Sequence, residues 1–147
     1  MREFLTLLIE DDENDIFFLE HAMKKAAWPG AVKVIRDGAD AIAYLTGAGP
    51  FADRAHHPLP SLVILDLNLP VKTGLEVLQL FRNTDPDNAV PVIVLTSSTS
   101  DIDMRDAYRF GANCYITKPS HPDFLLEVVH VLKSHWIRYN QTPKKWD

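Results

Sequence analysis

The sequence predicts an α/β fold built on a parallel sheet with helices on both of its faces. Short apolar segments alternate with segments whose apolar residues repeat at helical spacing. Two of the apolar segments, LVIL and VIVL, contain no polar residue, which is typical of strands that are buried on both faces. Alternation of this kind favours parallel strands joined by right-handed crossovers.

Five apolar segments are candidate strands. They cover residues 4–9, 31–35, 62–65, 92–95 and 114–116. Apolar residues at helical spacing follow several of them: Ile16, Leu19, Met23 and Ala26; then Leu75, Leu78 and Phe81; then Met104, Ala107, Tyr108 and Gly111. A last helix is predicted over residues 122–135, with Pro122 in its first turn. The pattern indicates five β-α units.

Two features interrupt or end this pattern. Residues 47–60 hold two Gly and three Pro, so this segment is predicted to be a long loop. Acidic residues stand where two helices should begin, and Asp12 and Asp101 are candidates for capping or first-turn positions. We expect one domain over residues 1–138 and a polar, frayed tail over residues 139–147.

Composition excludes several classes of function. The net charge is -5 and the Lys and Arg residues are scattered, which argues against binding to nucleic acid. A single cysteine, Cys114, cannot form an intramolecular disulfide or a multi-cysteine zinc site. The first apolar run is too short for a signal peptide or a membrane span. We therefore expect a cytoplasmic protein that does not bind membranes.

Polar residues follow four of the five strands at the point where each one ends. They are Glu10, Asp11 and Asp12 after the first strand, Asp66 after the third, Thr96, Ser97 and Ser98 at the fourth, and Thr117, Lys118 and Pro119 at the fifth. Because ligands bind at the carboxyl ends of strands in open parallel sheets, we expect these groups to converge.

The chemistry of this set points to phosphate. Clustered carboxylates prefer a hard divalent cation, here expected to be Mg²⁺, whose charge offsets their mutual repulsion. Lys118 and the Thr96 hydroxyl beside such a cation suit an anion with several oxygens. If Asp66 lies innermost, its carboxylate can attack phosphorus and become an aspartyl phosphate.

Each of these residues also has a structural explanation when it is considered alone. Asp12 can simply cap the next helix, and Asp66 can be a turn residue. Thr96 can be a strand-end hydroxyl, and Lys118 a solvated charge. Their joint placement at four strand ends favours a functional interpretation.

The residues then match a known family. The chain resembles the CheY-like receiver domain of two-component response regulators over residues 4–136. The matching motifs are the acidic pair Glu10-Asp11, LVILDLNLP with Gly74 following it, VIVLTSS, and YITKP. The resemblance implies a doubly wound, flavodoxin-like α/β fold with five helices and five parallel strands in the order 2-1-3-4-5.

The resemblance also implies a role for each matching residue. Asp66 corresponds to the phosphoacceptor, and Lys118 to the lysine that binds the phosphoryl group. The bond between Lys118 and Pro119 resembles the family's cis peptide bond. Asp11 corresponds to a direct Mg²⁺ ligand, Glu10 to one acting through water, and Asn68 to the position whose backbone carbonyl binds the metal. Thr96 and Tyr115 correspond to the switch pair. Such a domain is a signalling module rather than an enzyme, although it assists its own phosphotransfer and autodephosphorylation.

Features of the subgroup suggest partners. The long loop over residues 47–60 and the segment FLLEVVHVL are similar to those of single-domain regulators paired with phytochromes. A sensor histidine kinase, by this resemblance a phytochrome, is therefore the expected phosphodonor. Since only a tail follows the receiver, we expect no separate output domain, and signalling by a changed interaction surface.

The last helix suggests self-association. Seven of nine residues are apolar from Phe124 to Leu132, more than one buried stripe needs. We predict a homodimer through this helix; the alternative is that the tail, with Trp136 and Trp146, covers it. His56 and His57 in the long loop can suggest a metal or phosphohistidine site, but a solvated pair is the simpler explanation.

Three other functions compete with this one. A Mg²⁺-dependent phosphohydrolase with an aspartyl-phosphate intermediate would want a second acid two residues after Asp66, where Asn68 stands. A flavin or nucleotide binder would want a Gly-rich loop after the first strand, where the acids stand. A degenerate receiver that takes no phosphate would be expected to lack part of the residue set, which is intact here.

Overall fold

In the computed structural model, which describes residues 3–142, five parallel strands form one sheet in the order β2-β1-β3-β4-β5. The strands are β1 (Leu5–Ile9), β2 (Ala31–Ile35), β3 (Leu62–Leu65), β4 (Val92–Thr96) and β5 (Cys114–Thr117). The helices are α1 (Glu13–Lys25), α2 (Gly38–Thr46), α3 (Gly74–Thr84), α4 (Asp101–Arg109) and α5 (Pro122–Leu132). The predicted fold class and strand order are confirmed.

Helices cover both faces of the sheet. Alternate strand residues point to opposite faces, so Leu8, Ile64 and Leu95 pack under α1 and α5. Their neighbours, among them Leu7, Leu65 and Val94, pack under α2, α3 and α4. This two-sided burial explains why β3 is apolar at every position, and β1 and β4 at all positions except Thr6 and Thr96.

Side chains at the helix starts fix where the chain turns away from the sheet edge. Asp12 caps α1 by accepting a hydrogen bond from the Asp15 backbone N–H at 2.9 Å. Before α3, Thr73 and Glu76 form a capping box. At α4 the cap is Ser100, and Asp101 lies in the first turn. The capping interpretation of Asp12 is therefore confirmed.

The bounds of α2 were not predicted, because its segment shows no long apolar stripe at helical spacing. It begins after its cap Asp37 and ends at Gly47, which has a left-handed backbone with φ of 71°. The predicted loop follows, with one 3₁₀ turn at Gly49–Phe51. Arg54 in this loop donates to the carbonyl oxygens of Tyr44 and Leu45, which satisfies the end of α2.

The last α-helix ends at Leu132, three residues before its predicted end at residue 135, but the chain stays helical beyond that point. After α5 the backbone forms a π-helical stretch over Lys133–Tyr139. Lys133 Nζ donates to the Ala26 carbonyl at the end of α1, and Trp136 packs against the base of the core. The domain boundary at residue 138 stays a prediction, and Trp146 lies outside the described residues. Within residues 3–142, every helix is too short or too polar to cross a lipid bilayer.

Candidate functional site

Three predicted site residues meet at the carboxyl edge of the sheet. Glu10 follows β1, Asp66 follows β3 and Lys118 follows β5. Lys118 Nζ lies 2.5 Å from Glu10 Oε1 and 3.0 Å from Asp66 Oδ2. Strands β1 and β3 are neighbours, whereas β4 separates β3 from β5, and the long Lys118 side chain spans this distance. The structure thus brings these residues together as the sheet topology implies.

Three carboxylates at this edge can share a cation. One oxygen from each of Glu10, Asp11 and Asp66 lies within 4.8 Å of the other two. Glu10 and Asp66 are buried, at 3% and 5% exposed, whereas Asp11 is open to solvent. An all-oxygen group with one open side suits a hard ion such as Mg²⁺, which keeps part of its water shell. Asp12 is outside this group, in keeping with its capping role.

The environment perturbs two of these groups. Burial raises the pKa of Glu10 to about 7, and the nearby Asp66 adds to this effect, while the hydrogen bond from Lys118 opposes it. For Lys118, burial by itself would lower the pKa, but hydrogen bonds to Asp15 and Glu10 outweigh it and raise the pKa above its usual value. Lys118 therefore stays positively charged beside Asp66 at neutral pH.

Backbone groups orient both buried carboxylates. Glu10 Oε2 accepts from the backbone N–H groups of Asp11 and Asp12, at 3.0 and 3.3 Å. Asp66 Oδ1 accepts from the backbone N–H of Asn68 at 3.3 Å. The metal-binding role of the Asn68 carbonyl stays a prediction. These contacts hold each carboxylate in one orientation.

Glycine is required where α3 begins beside Asp66. A Cβ atom built at Gly74 would lie 2.3 Å from the Asp66 carbonyl oxygen and 2.6 Å from Leu67 Cα. Any larger residue would push the backbone of Asp66 away from the site. Gly74 therefore allows the start of α3 to pack closely against the backbone of Asp66 and Leu67.

Asp15 was not predicted to belong to the site. Its Oδ2 atom lies 2.6 Å from Lys118 Nζ, so it is a third carboxylate on the same ammonium. The sequence places it only in the first turn of α1, where acids are common because of the helix dipole. The available signal was its position, since the first turn of a helix that follows a strand lies next to the sheet edge.

The two predicted switch residues both contact Ser98 in the loop after β4. Thr96 is fully buried and its hydroxyl accepts from the Ser98 backbone N–H at 3.4 Å. The Tyr115 hydroxyl donates to the Ser98 carbonyl at 3.0 Å, and its half-buried ring packs against the core beneath α3 and α4. The switch roles stay predictions, but the structure links the two residues through one loop position.

One expectation from the resemblance is wrong. None of the peptide bonds in the described chain is cis, so the Lys118–Pro119 bond is trans. The trans isomer of an X–Pro bond is favoured by about 0.5–1 kcal/mol. Lys118 reaches its carboxylates with this isomer, while its backbone N–H donates to the Thr96 carbonyl at 2.7 Å.

Beside these groups the surface opens into a cavity of about 340 Å³ between α1 and the start of α5. Four charged side chains line one part of it, namely Glu10, Asp15, Asp66 and Lys118. The rest is lined by apolar residues of the strands, α1 and α5 and by the connection from Pro119 to His121. Because Asp66 and Lys118 line the cavity, a group of the size of a phosphoryl can reach both side chains through it.

Comparison with known proteins supports this description. Residues 6–130 match the model of the response regulator receiver domain. Response regulator Rcp1 of Synechocystis sp. is 34% identical, over 89% of this chain and 87% of that protein. The probable methanogenesis regulatory protein FilR2 of Methanothrix harundinacea is 35% identical, over 95% of this chain and 88% of that protein.

Solved structures agree with these relatives. The phosphorylated cyanobacterial phytochrome response regulator RcpA is 33% identical and superposes with a TM-score of 0.88, covering 97% of this chain and all of that one. The Mn²⁺-bound form of Rcp1 is 32% identical with a TM-score of 0.85, covering 95% and 99% of the two chains. Receiver domains are signalling modules that work with sensor histidine kinases. On the match over residues 6–130 and these relatives, the chain belongs to the response regulator receiver domain family.

Proposed function

We propose that this protein is a two-component response regulator that accepts a phosphoryl group on Asp66 in a Mg²⁺-dependent reaction. The observation that carries the proposal is the geometry at the sheet edge. The carboxylate of Asp66 is buried, and one of its oxygens lies 3.0 Å from the Lys118 ammonium. Asp66, Glu10 and Asp11 each place one carboxylate oxygen within 4.8 Å of the other two, close enough to bind the same cation. The relative Rcp1 has been crystallised with Mn²⁺ bound, which supports a divalent cation.

The chemistry follows from these positions. An Asp66 Oδ atom forms a new bond to phosphorus as the bond from phosphorus to the histidine nitrogen of the kinase breaks, and that nitrogen keeps the electron pair. Lys118 donates to a phosphoryl oxygen, and the Thr96 hydroxyl is available for another. A cation held by Glu10, Asp11 and Asp66, with the Asn68 carbonyl, would neutralise charge on the phosphoryl oxygens.

Loss of the phosphoryl group is expected to be slow self-hydrolysis rather than rapid turnover. Water has access through the open side of the site, where Asp11 and Asn68 are exposed. Asn68 carries an amide in place of the acid that would serve as a proton donor to the leaving group. This argues against the alternative of a Mg²⁺-dependent phosphohydrolase.

Mass spectrometry tests the central proposal. Incubation with Mg²⁺ and acetyl phosphate should add the mass of one phosphoryl group, and the Asp66→Asn variant should gain none. Asp12→Asn is the matched control, because it removes one negative charge nearby while asparagine caps α1 as well as aspartate does. No gain in the unaltered protein, or a gain that survives Asp66→Asn, would contradict the proposal.

We further propose a cytoplasmic bacterial phytochrome kinase as the donor. The support is the likeness to RcpA and Rcp1, of which RcpA is described as a phytochrome response regulator. Phosphotransfer from a purified phytochrome kinase should be much faster than from a histidine kinase of another sensor class. Equal rates from the two kinases would contradict this assignment.

We propose a homodimer through α5 and the stretch that follows it. Phe124, Val131 and Tyr139 are 59%, 60% and 67% exposed, although all three are large and apolar. Phe124 and Val131 are seven residues apart on one stripe, while Val129 and Leu132 face the core. An apolar stripe outside the core in addition to the inward one is typical of a surface that packs on a partner.

Light scattering at micromolar concentration tests the dimer. Val131→Asp should shift the mass toward the monomer, because it places a charge in the apolar stripe. Ile102→Asp on α4 is the control, since Ile102 is equally exposed at 63% but lies on another helix. A monomer before and after phosphorylation, or equal effects of both variants, would contradict the proposed interface.

Phosphorylation is proposed to alter this surface through the loop after β4. Ser98 bonds to Thr96 through its N–H and to Tyr115 through its carbonyl. If the Thr96 hydroxyl turns to the phosphoryl group, Ser98 loses one of these contacts and the Tyr115 ring on β5 must readjust. Since β5 leads directly into α5, the change reaches the proposed interface.

A further inference from the structure

Asp15 contacts the candidate site without belonging to its candidate metal cluster. Its Oδ2 atom lies 2.6 Å from Lys118 Nζ, nearer than the 3.0 Å between that nitrogen and Asp66 Oδ2. Its backbone is fixed by the cap of α1, because the Asp15 N–H donates to Asp12 Oδ1. The start of α1 therefore places one carboxylate against the lysine of the site.

The other two carboxylates on Lys118 have a second task. Glu10 and Asp66 are also two of the three members of the candidate metal cluster, and Asp66 is the proposed acceptor. Once a cation and a phosphoryl group engage them, neither is available solely for Lys118. Among the carboxylates that the described structure places on this ammonium, Asp15 alone has no such competing partner.

We propose that Asp15 is a positioning residue that holds the Lys118 ammonium beside Asp66 during phosphoryl transfer. The inference rests on the proposed function and deepens it. An ammonium has three N–H donors, so one can stay on Asp15 while another meets a phosphoryl oxygen. Lysine has a flexible four-carbon stem, and fixing its end before the reaction removes an entropic cost from the transition state.

The burial of the two partners suits this role. The Lys118 side chain is 15% exposed and that of Asp15 is 42% exposed. Asp15 is thus open enough to be replaced without leaving a cavity in the core, whereas Lys118 is enclosed and depends on the acceptors around it. A change at Asp15 should therefore act on the position of Lys118 more than on folding.

Phosphorylation kinetics with acetyl phosphate and Mg²⁺ provide the first test. Asp15→Asn should lower the saturating rate about tenfold, as expected for one lost charge-assisted hydrogen bond, with little change in the Mg²⁺ concentration needed for half-saturation. Asp12→Asn is the matched control, because it removes the same charge three residues away and keeps its cap. Asp15→Glu should recover part of the rate, because its carboxylate still reaches the ammonium.

The second test does not depend on a rate. In ¹⁵N NMR of the protein saturated with Mg²⁺ and beryllofluoride, an analogue of the phosphoryl group, Glu10 and Asp66 are engaged, and the Lys118 ammonium should give a slowly exchanging signal in the unaltered protein and in Asp12→Asn. This signal should broaden or vanish in Asp15→Asn, while the melting temperature changes little. A purely structural role of Asp15 would instead lower the melting temperature and leave the lysine signal in place.

The outcomes separate the two levels of the proposal. A rate for Asp15→Asn within about twofold of Asp12→Asn, or above it, overturns the role of Asp15 while leaving phosphorylation of Asp66 intact. An unaltered protein that takes up no phosphoryl group overturns the proposed function, and with it this role. A tenfold loss specific to Asp15→Asn, with partial recovery by Asp15→Glu, establishes the role.

Discussion

Glu10 should couple the binding of Mg²⁺ to pH. Burial, with Asp66 close by, raises its pKa to about 7 from an ordinary value of 4.5. A cation at this cluster requires the ionised carboxylate, so bound protons compete with it. A carboxyl group with this pKa is about 90% protonated near pH 6 and about 10% protonated near pH 8. The apparent Kd for Mg²⁺ should therefore be about tenfold higher near pH 6 than near pH 8.

The same shift fixes the sign of the stability change in the metal-free protein. Between about pH 4.5 and pH 7 the folded state keeps a proton on Glu10 that the unfolded chain releases. Stability is therefore lost as the pH rises through this window, by up to about 3 kcal/mol in the free energy of unfolding. Saturating Mg²⁺ should offset the loss, because it stabilises the ionised carboxylate in the folded state.

Isothermal titration calorimetry measures this coupling directly. Titrations with Mg²⁺ near pH 7, in two buffers with different heats of ionisation, should show release of about half a proton per ion bound. Glu10→Gln cannot ionise, so it should release almost none and show a much flatter pH dependence. An equal Kd near pH 6 and pH 8, or undiminished proton release in Glu10→Gln, would refute the reasoning.

Substitutions at three positions test other contacts of the site and of the structure around it. Tyr115→Phe removes the hydrogen bond to the Ser98 carbonyl and should lower the free energy of unfolding, measured in urea, by about 1 kcal/mol. Phosphorylation by acetyl phosphate should not change. An unchanged stability would contradict a stabilising role of this hydrogen bond. Gly74→Ala should lower the free energy of unfolding by about 1–3 kcal/mol and slow phosphorylation, because its Cβ would collide with the carbonyl oxygen of Asp66. Unchanged stability and an unchanged rate would show that the backbone can move to accept the Cβ atom. Arg82→Ala should lower the free energy of unfolding by about 2–3 kcal/mol, because this guanidinium donates to oxygens on three loop residues. Arg82→Lys should recover little of that loss. Unchanged thermal melts of Arg82→Ala would contradict a stabilising role of these hydrogen bonds.

Much of the fold could be predicted because burial leaves a direct pattern in the sequence. The central strands are covered on both faces, so LVIL and VIVL stand out and their bounds differ from the structure by at most one residue. Helix α2 was not placed because its segment, GADAIAYLT, is short and apolar on more than one side. The order of the strands came from the family resemblance, since alternation alone does not say which strands are neighbours.

The candidate site divides in the same way. Glu10, Asp66 and Lys118 could be predicted together because each directly follows a strand of one parallel sheet. Asp15 could not, because its contact with Lys118 depends on where α1 leaves the sheet and how the β5–α5 connection folds over it. The shared contact of Thr96 and Tyr115 with Ser98 likewise depends on the path of a loop.

The sequence by itself determined the fold class, the family and the set of groups that meet at the sheet edge. These depend on how strands and helices alternate along the chain and on the residues that follow each strand. The tertiary structure decided how those groups are paired. It placed three carboxylates on Lys118, buried Glu10 enough to raise its pKa, and set the Lys118–Pro119 bond trans. The physical reason is that pairing and desolvation depend on distances between segments far apart in the chain, which no local pattern of residues records.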